Sequence, residues 1–393
     1  MKKLRVCLSM GGGVSLGAFS GAALTEALKL LVLYGRDRMG NPYDKIELDG
    51  MSGASAGSVS LAIMMRCLID YKSVINKSYF LEFLEVEENV VITTLEKRIE
   101  KLYTSNALED KNREIMLALE VTQIMQEIIW VRSIDTDQLF KESEFDPMQP
   151  FGLLNRAAIL NLVRKFILED VDKIDINNRQ LLGDRTLMAF SMANMSPMAY
   201  GEKGSNLDEK IPELVKTFQT ATNISNHNEL RVFNFLFSDF RESRTDTRYL
   251  TIVSQKDAIT INNALSLYLN ETWAIIAASA IASGAFPIGF APVVLERYKH
   301  EYSKKEWNPK NLTIDRLNYA YIDGGTFNNE PIKEAFKMGH YNDFETDESN
   351  DRLVLFVDPA VPDAVSVQQL KSLDPLSDIK HNERKDALCN HFK

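Results

Sequence analysis

The sequence predicts an α/β fold with a mostly parallel central sheet, helices on both faces and a helical insertion. Three observations carry that expectation. Near the N-terminus, short apolar runs that read as strands alternate with longer stretches of helical periodicity, at the spacing of strand–helix–strand–helix units. Both glycine-rich turns in that region follow a strand, and so fall at strand carboxyl ends, where ligands of parallel sheets bind. The 393 residues are 45% hydrophobic and 25% charged, a globular composition long enough for two domains or one domain with a sizeable insertion.

Residues 4–9 read as a strand and Gly11–Gly13 as a tight turn. Ser15 to about Tyr34 reads as a helix, its Ala, Leu and Glu spaced for one buried face. Ile46–Met51 reads as the next strand and Ala56 to about Ile75 as the next helix. Residues 76–180 change character: heptad-like apolar spacing recurs in Leu95–Leu102, Ile115–Trp130 and Leu153–Leu168, with few strand signals. This stretch reads as a helical insertion, either a lid over an apolar site or helices packed on the core. Strand signals return at Leu187–Ala193, Leu230–Phe237, Leu250–Val253, Asn318–Ile322 and Leu353–Val357. The polar segments 201–228 and 341–352 read as exposed loops. From Asp358 onward the chain reads as a polar, surface-docked tail. The domain boundaries expected are therefore 1–360, with the insertion at about 76–180, and a C-terminal tail at 361–393.

From Thr272 to Leu295 no residue is charged, a length that would span a bilayer. Pro287 and Pro292 would break a helix in its second half, so the stretch reads as a buried helix over about Glu271–Ala282 followed by a buried loop. The opening Met1-Lys2-Lys3 superficially resembles a signal peptide. The apolar run after it is interrupted by Arg5 and ends at Gly11, as a buried first strand would be. A net charge of −10 argues against nonspecific nucleic-acid binding and against whole-molecule attraction to anionic membranes. The cluster Arg297, Lys299, Lys304 and Lys305, with Tyr298, Tyr302 and Trp307, reads as a membrane-facing rim or as a solvated loop. Cys7, Cys67 and Cys389 are too few and too scattered for a disulfide framework or a metal knuckle, so a reducing, cytoplasmic location is expected, with peripheral membrane contact as the variant. Nothing in the sequence indicates an oligomeric state.

Acyl transfer needs a nucleophile, a base and an oxyanion hole. Ser55 lies in Gly53-Ala54-Ser55-Ala56-Gly57, the Gly-x-Ser-x-Gly nucleophile elbow, in which flanking glycines let strand and helix approach without a Cβ clash. Gly11, Gly12, Gly13 and Val14, after a strand and before a helix, can turn backbone N–H groups toward one point. A phosphate loop is the competing reading, but no Lys stands in this loop to complete one. Asp323 ends an apolar strand, and Gly324 and Gly325 then turn the chain. The order Ser55, Asp323, His340 also permits a Ser–Asp–His triad, although His340 reads as the solvent-facing end of a helix and the other histidines lie in polar segments.

Together these three pieces resemble the patatin-like phospholipase family: an N-terminal Gly-rich loop, an early Gly-x-Ser-x-Gly and a late Asp-Gly-Gly. Ala278-Ser279-Ala280-Ile281 with Ala285-Phe286-Pro287 and Phe290-Ala291-Pro292-Val293 is similar to the family's Ala-Ser segment and the stretch after it. Tyr321–Pro331, with Asn328-Asn329-x-Pro331, is similar to the family's sequence around its catalytic Asp. The resemblance covers about residues 4–75 and 270–335. It implies a three-layer sandwich and a Ser–Asp dyad in which Ser55 attacks an ester carbonyl and Asp323 assists. It also implies an oxyanion hole at Gly12, Gly13 and Val14, no metal or cofactor, and phospholipid or lysophospholipid substrates. The family's loop usually reads Gly-Gly-Gly-x-Arg/Lys-Gly. Here no basic residue appears in it and Gly17 comes one position late, so if that side chain orients the loop, another group must do so in this chain. A noncatalytic lipid-binding protein on the same fold is the alternative outside enzymes.

Overall fold

The first strand shows how the layers form. In β1 (Lys3–Met10), Leu4, Val6, Leu8 and Met10 point into the main apolar core, while Arg5, Cys7 and Ser9 are buried toward the other face. A strand buried on both sides belongs to the middle of an α/β sandwich. The structure, a computed structural model, describes residues 3–13, 17–34, 43–103, 105–134, 136–140, 152–199, 225–236, 258–262, 269–298, 316–343 and 351–357.

Among the described residues one mixed sheet of eight strands forms. After β1 come β2 (Lys45–Ala54), β3 (Leu182–Ala199), β4 (Ser225–Leu236), β5 (Ala258–Asn262), β6 (Val293–Tyr298), β7 (Arg316–Asp323) and β8 (Asp351–Val357). The strand order is β5-β4-β3-β2-β1-β8, with β7 joined to β3 and β6. The centre is parallel: β1 pairs with β2 and with β8, and β2 with β3. β4 and β7 run antiparallel to β3.

The helices are α1 (Gly17–Tyr34), α2 (Ala56–Ile69), α3 (Lys72–Ile75), α4 (Ser78–Leu84), α5 (Val91–Leu102), α6 (Asp110–Glu127), α7 (Thr136–Phe140), α8 (Arg156–Val163), α9 (Leu269–Ser283) and α10 (Ile332–Asp343). α2 packs on β2 and α9 on β3, and α1, α2, α6 and α9 share the main core. α10 packs against β1, β2 and β8 from the other face, with Gly50 and Gly339 leaving room around Cys7. From Lys72 to Asn178 the described residues form helices and turns with no strand. α5 shows why: Val91, Leu95 and Ile99 recur every fourth residue and are buried on one stripe. Burying such side chains stabilises the fold by roughly 1.5–3 kcal/mol each.

Five expectations are corrected. The helix expected to run from Ala56 to Ile75 stops at Ile69, because the Asp70 carboxylate accepts hydrogen bonds from Ser73 N, Asp175 N and Asn178 Nδ2 and ties the chain to the 175–178 turn. The buried loop expected to extend from the end of α9 to Leu295 covers only 284–292; Val293–Tyr298 form β6, paired antiparallel with β7. Residues 225–228, read with the preceding loop, are part of β4, and Asp351 and Arg352 begin β8. Arg297 is no membrane rim: it is buried, with its guanidinium 3.1 Å from Glu229 Oε2 and 3.1 Å from the Tyr321 hydroxyl. Lys299, Lys304, Lys305, Tyr302 and Trp307 lie outside the described residues, as do Leu250–Val253 and the 361–393 tail. Among the described residues no helix is long and apolar enough to cross a membrane.

Candidate active site

Strand register brings Ser55 and Asp323 together. β2 ends at Ala54, paired with Ser191 of β3. The next residue of β3, Met192, pairs with Asp323 at the end of β7, which arrives antiparallel in the lane that β2 has just left. The two chain ends meet head-on, so residues 268 positions apart become neighbours, and Ser55 Oγ donates to Asp323 Oδ2 at 2.6 Å. Gly324 turns away directly over β3; a Cβ there would overlap the Ser191 carbonyl.

Ser55 has φ 52° and ψ −130°, a region that costs a residue with a Cβ about 1–3 kcal/mol and persists only where its surroundings enforce it. The surroundings here are specific. A Cβ at Gly53 would lie 2.8 Å from Ser58 N, and one at Gly57 would lie 2.6 Å from Met10 O, so both flanking positions require glycine. Ser283, at the end of α9, accepts from Ser55 N at 3.0 Å and donates to Ser191 O at 2.6 Å. The Ser58 hydroxyl lies 2.7 Å from Ser283 Oγ. One buried hydroxyl therefore ties the elbow to β3, and its donor and both lone pairs are used.

Asp323 is 4% exposed. Its Oδ1 accepts from Gly325 N at 2.7 Å while Oδ2 faces Ser55. Burial holds its pKa above the usual carboxylate value, partly offset by the hydrogen bonds from Ser55 and Gly325. Behind β7, Glu229 accepts from Tyr321 Oη at 2.7 Å, Asn194 Nδ2 at 2.9 Å and Arg297 at 3.1 Å. This buried ionic cluster ties β3, β4, β6 and β7 together just behind Asp323.

In the Gly-rich loop, two of the expected N–H donors have partners within the protein. Gly11 N–H donates to Val357 O at 3.2 Å, extending the β1–β8 pairing. Gly12 N–H donates to Asn329, to its backbone oxygen at 3.2 Å and to Oδ1 at 3.1 Å. Both N–H groups are thus engaged within the protein. Gly13 is half-buried, and Val14 lies outside the described residues. His340 falls on α10, and the Ser55 hydroxyl meets the carboxylate directly rather than through an imidazole. Ser283 and Asn329 were not singled out by motif reasoning: Ser283 is an ordinary small residue in an Ala-rich helix, and Asn329 stood only within a similar stretch.

Among the described residues no group of three or more His, Cys, Asp or Glu could hold a metal ion. A cavity of about 650 Å³ lies in the helical region, lined in part by Tyr71, Lys72, Arg113 and Glu114. It shares no residue with the Ser55–Asp323 pair, and within it Glu114 lies 3.2 Å from Lys72 and 3.1 Å from Arg113.

An α/β sandwich with a Gly-x-Ser-x-Gly turn at the carboxyl end of a parallel strand, its serine bonded to an aspartate, defines a class of α/β protein with a serine-hydrolase elbow. The sequence profile of the family described as Patatin-like phospholipase matches residues 8–336, and the chain belongs to that family. No curated protein matches the chain. A solved structure, described as "Crystal structure of VipD from Legionella pneumophila", is 14% identical over 90% of this chain and 49% of that chain, with a TM-score of 0.23. The chain thus spans about half the length of that protein.

Proposed function

We propose that the protein hydrolyses acyl esters of phospholipids or lysophospholipids with Ser55 as nucleophile and Asp323 as base. The observation that carries this reading is the 2.6 Å hydrogen bond from Ser55 Oγ to a buried carboxylate at the elbow of a patatin-like chain. As Ser55 Oγ bonds to the ester carbonyl carbon, its proton passes to Asp323 Oδ2. Collapse of the tetrahedral intermediate breaks the carbon–oxygen bond to the glycerol, and Asp323 returns the proton to the leaving alkoxide. Water then bonds to the acyl carbon as Asp323 takes its proton, the carbon–Oγ bond breaks to release the fatty acid, and Asp323 returns that proton to Ser55 Oγ. A free carboxylate at pKa ~4 is a poor base for a hydroxyl. Burial raises Asp323 toward the working pH and improves its driving force for proton transfer. The oxyanion is held by backbone N–H groups, of which Gly13 and Val14 are the candidates because those of Gly11 and Gly12 are engaged. The chemistry calls for no cofactor. We assign the activity to residues 1–360, with 361–393 as a tail, and place the protein in the cytoplasm with peripheral access to membrane lipid.

Fluorophosphonate labelling tests the reading. Wild type is labelled at Ser55 and releases fatty acid from a mixed lipid panel followed by mass spectrometry. Ser55→Ala does neither, and Asp323→Asn does both far more slowly. A folded wild type that takes no label would make the protein a noncatalytic lipid binder instead.

A further inference from the structure

One side chain holds the Gly-rich loop against the elbow. Asn329 Oδ1 accepts from Gly12 N at 3.1 Å, and Asn329 Nδ2 donates to Gly12 O at 3.2 Å, a two-point pairing across 317 residues of sequence. A donor facing an acceptor and an acceptor facing a donor settle which end of the amide is which. Gly12 itself is wedged: a Cβ there would overlap Asn329 Oδ1 and lie 2.5 Å from Ser55 Cβ. No Lys or Arg stands between Gly11 and Gly17 to tether the loop.

We propose that Asn329 is a positioning residue for the oxyanion hole, pinning Gly12 so that the N–H of Gly13 is aimed as an oxyanion donor. The inference rests on the reading of Ser55 as nucleophile. Its physical basis is peptide geometry. The Gly12 C=O and the Gly13 N–H belong to one planar trans peptide and point in opposite directions. Holding Gly12 O on Asn329 Nδ2 therefore turns the Gly13 N–H away from Asn329 and fixes it there. Donation to the carbonyl also polarises that peptide and strengthens its N–H as a donor. Asn329 is placed for this by the turn that carries Asp323. Phe327 N and Asn328 N both donate to Gly324 O, and a Cβ at Gly325 would meet Asn329 Oδ1 at 2.6 Å and Asp323 Oδ1 at 3.0 Å. One turn thus sets both the base and the loop.

Asn329 is exposed while Gly12 and Ser55 are buried, so replacing it opens no hole in the core. Asn329→Asp keeps the acceptor and loses the donor; Asn329→Ala loses both. Each variant is assayed on a soluble short-chain ester and with a fluorophosphonate, rates being normalised to the folded fraction. The expected result is an unchanged KM with kcat and labelling rate each lower by about 10- to 100-fold, less than or comparable to deleting one oxyanion donor. A purely structural role would lower the folded fraction and leave the normalised rates alone, and either folded variant labelling at the wild-type rate overturns the inference. If neither variant folds, the wild-type phosphonate adduct decides. A phosphonyl oxygen in hydrogen-bond contact with Gly13 N, with Asn329 still on Gly12, supports it, and Asn329 swung off Gly12 in the adduct overturns it. An unlabelled wild type instead removes the underlying reading of Ser55.

Discussion

Asp323 is where function and stability pull apart. The carboxylate sits 4% exposed with two hydrogen bonds, and burial is the largest influence on it, raising its pKa. A group whose folded-state pKa is raised contributes stability that is complete below its unfolded pKa and lost as pH rises through the folded value. Ionising the buried Asp323 therefore costs stability, and that cost grows as pH rises. An asparagine in its place would keep one oxygen to accept from Gly325 N and present an NH2 that donates to the Ser55 hydroxyl, without the charge. Asp323→Asn is expected to lower kcat by about 10²–10⁴-fold. It is also expected to stabilise the protein to urea, with a gain that grows from about pH 4 and levels off above the raised pKa. Urea midpoints of both proteins across that range check it. A variant less stable than wild type at neutral pH, or a gain that shrinks as pH rises, would contradict the assignment of burial as the dominant influence. The strain at Ser55 belongs to the same trade: its φ of 52° is held by Ser283 and by glycines on both flanks.

At the scale of elements, the site depends on how β7 is held. Glu229 on β4, Arg297 on β6 and Tyr321 on β7 meet in a buried cluster two residues from Asp323. Removing one member of such a pair leaves an uncompensated buried charge, at about 3–5 kcal/mol. Arg297→Ala is expected to cost that much in chemical denaturation, and Arg297→Glu more. Unchanged stability together with weakened liposome binding in Arg297→Glu would instead restore the rim reading. The same residue shows the limit of what was legible. β1, β2, α1 and the elbow were readable because their apolar periodicity and glycine punctuation are local properties. β6 was not, because an arginine inside a strand reads as exposed until its partner, 68 positions away, is known. The Asp70 break was missed for a similar reason: its partners at 175 and 178 lie far along the chain. Ser55 and Asp323 stood out through motif chemistry, whereas Ser283 and Asn329 act through contacts that only the folded register creates.

Across the whole molecule, two thiols report on the two faces of the sheet. Cys67 lies on α2 in the main core, fully buried, with its pKa pushed up to about 12 by burial. Cys7 lies on β1 and points to the opposite face, beneath α10, where burial also raises its pKa well above that of a free thiol, with Asp49 adding to the effect and Arg352 opposing it. The thiolate is the reactive species, so both are inert while the sandwich is closed. Neither can be reached by fraying of a loop, since each is 0% exposed within a central element. Modification at either site therefore requires a layer to open. If the sheet and its two helical faces unfold as one cooperative unit, Cys7 and Cys67 become reactive at the same denaturant concentration, coincident with loss of far-ultraviolet dichroism. A thiol reagent with mass-spectrometric site assignment measures this, and Cys389, outside the described residues, serves as the comparison. Cys7 reacting at lower denaturant than Cys67 would mean that the α10 face opens first. Because the chain reaches α10 directly from the Asp323 turn, that order would also predict loss of fluorophosphonate labelling before loss of the main core.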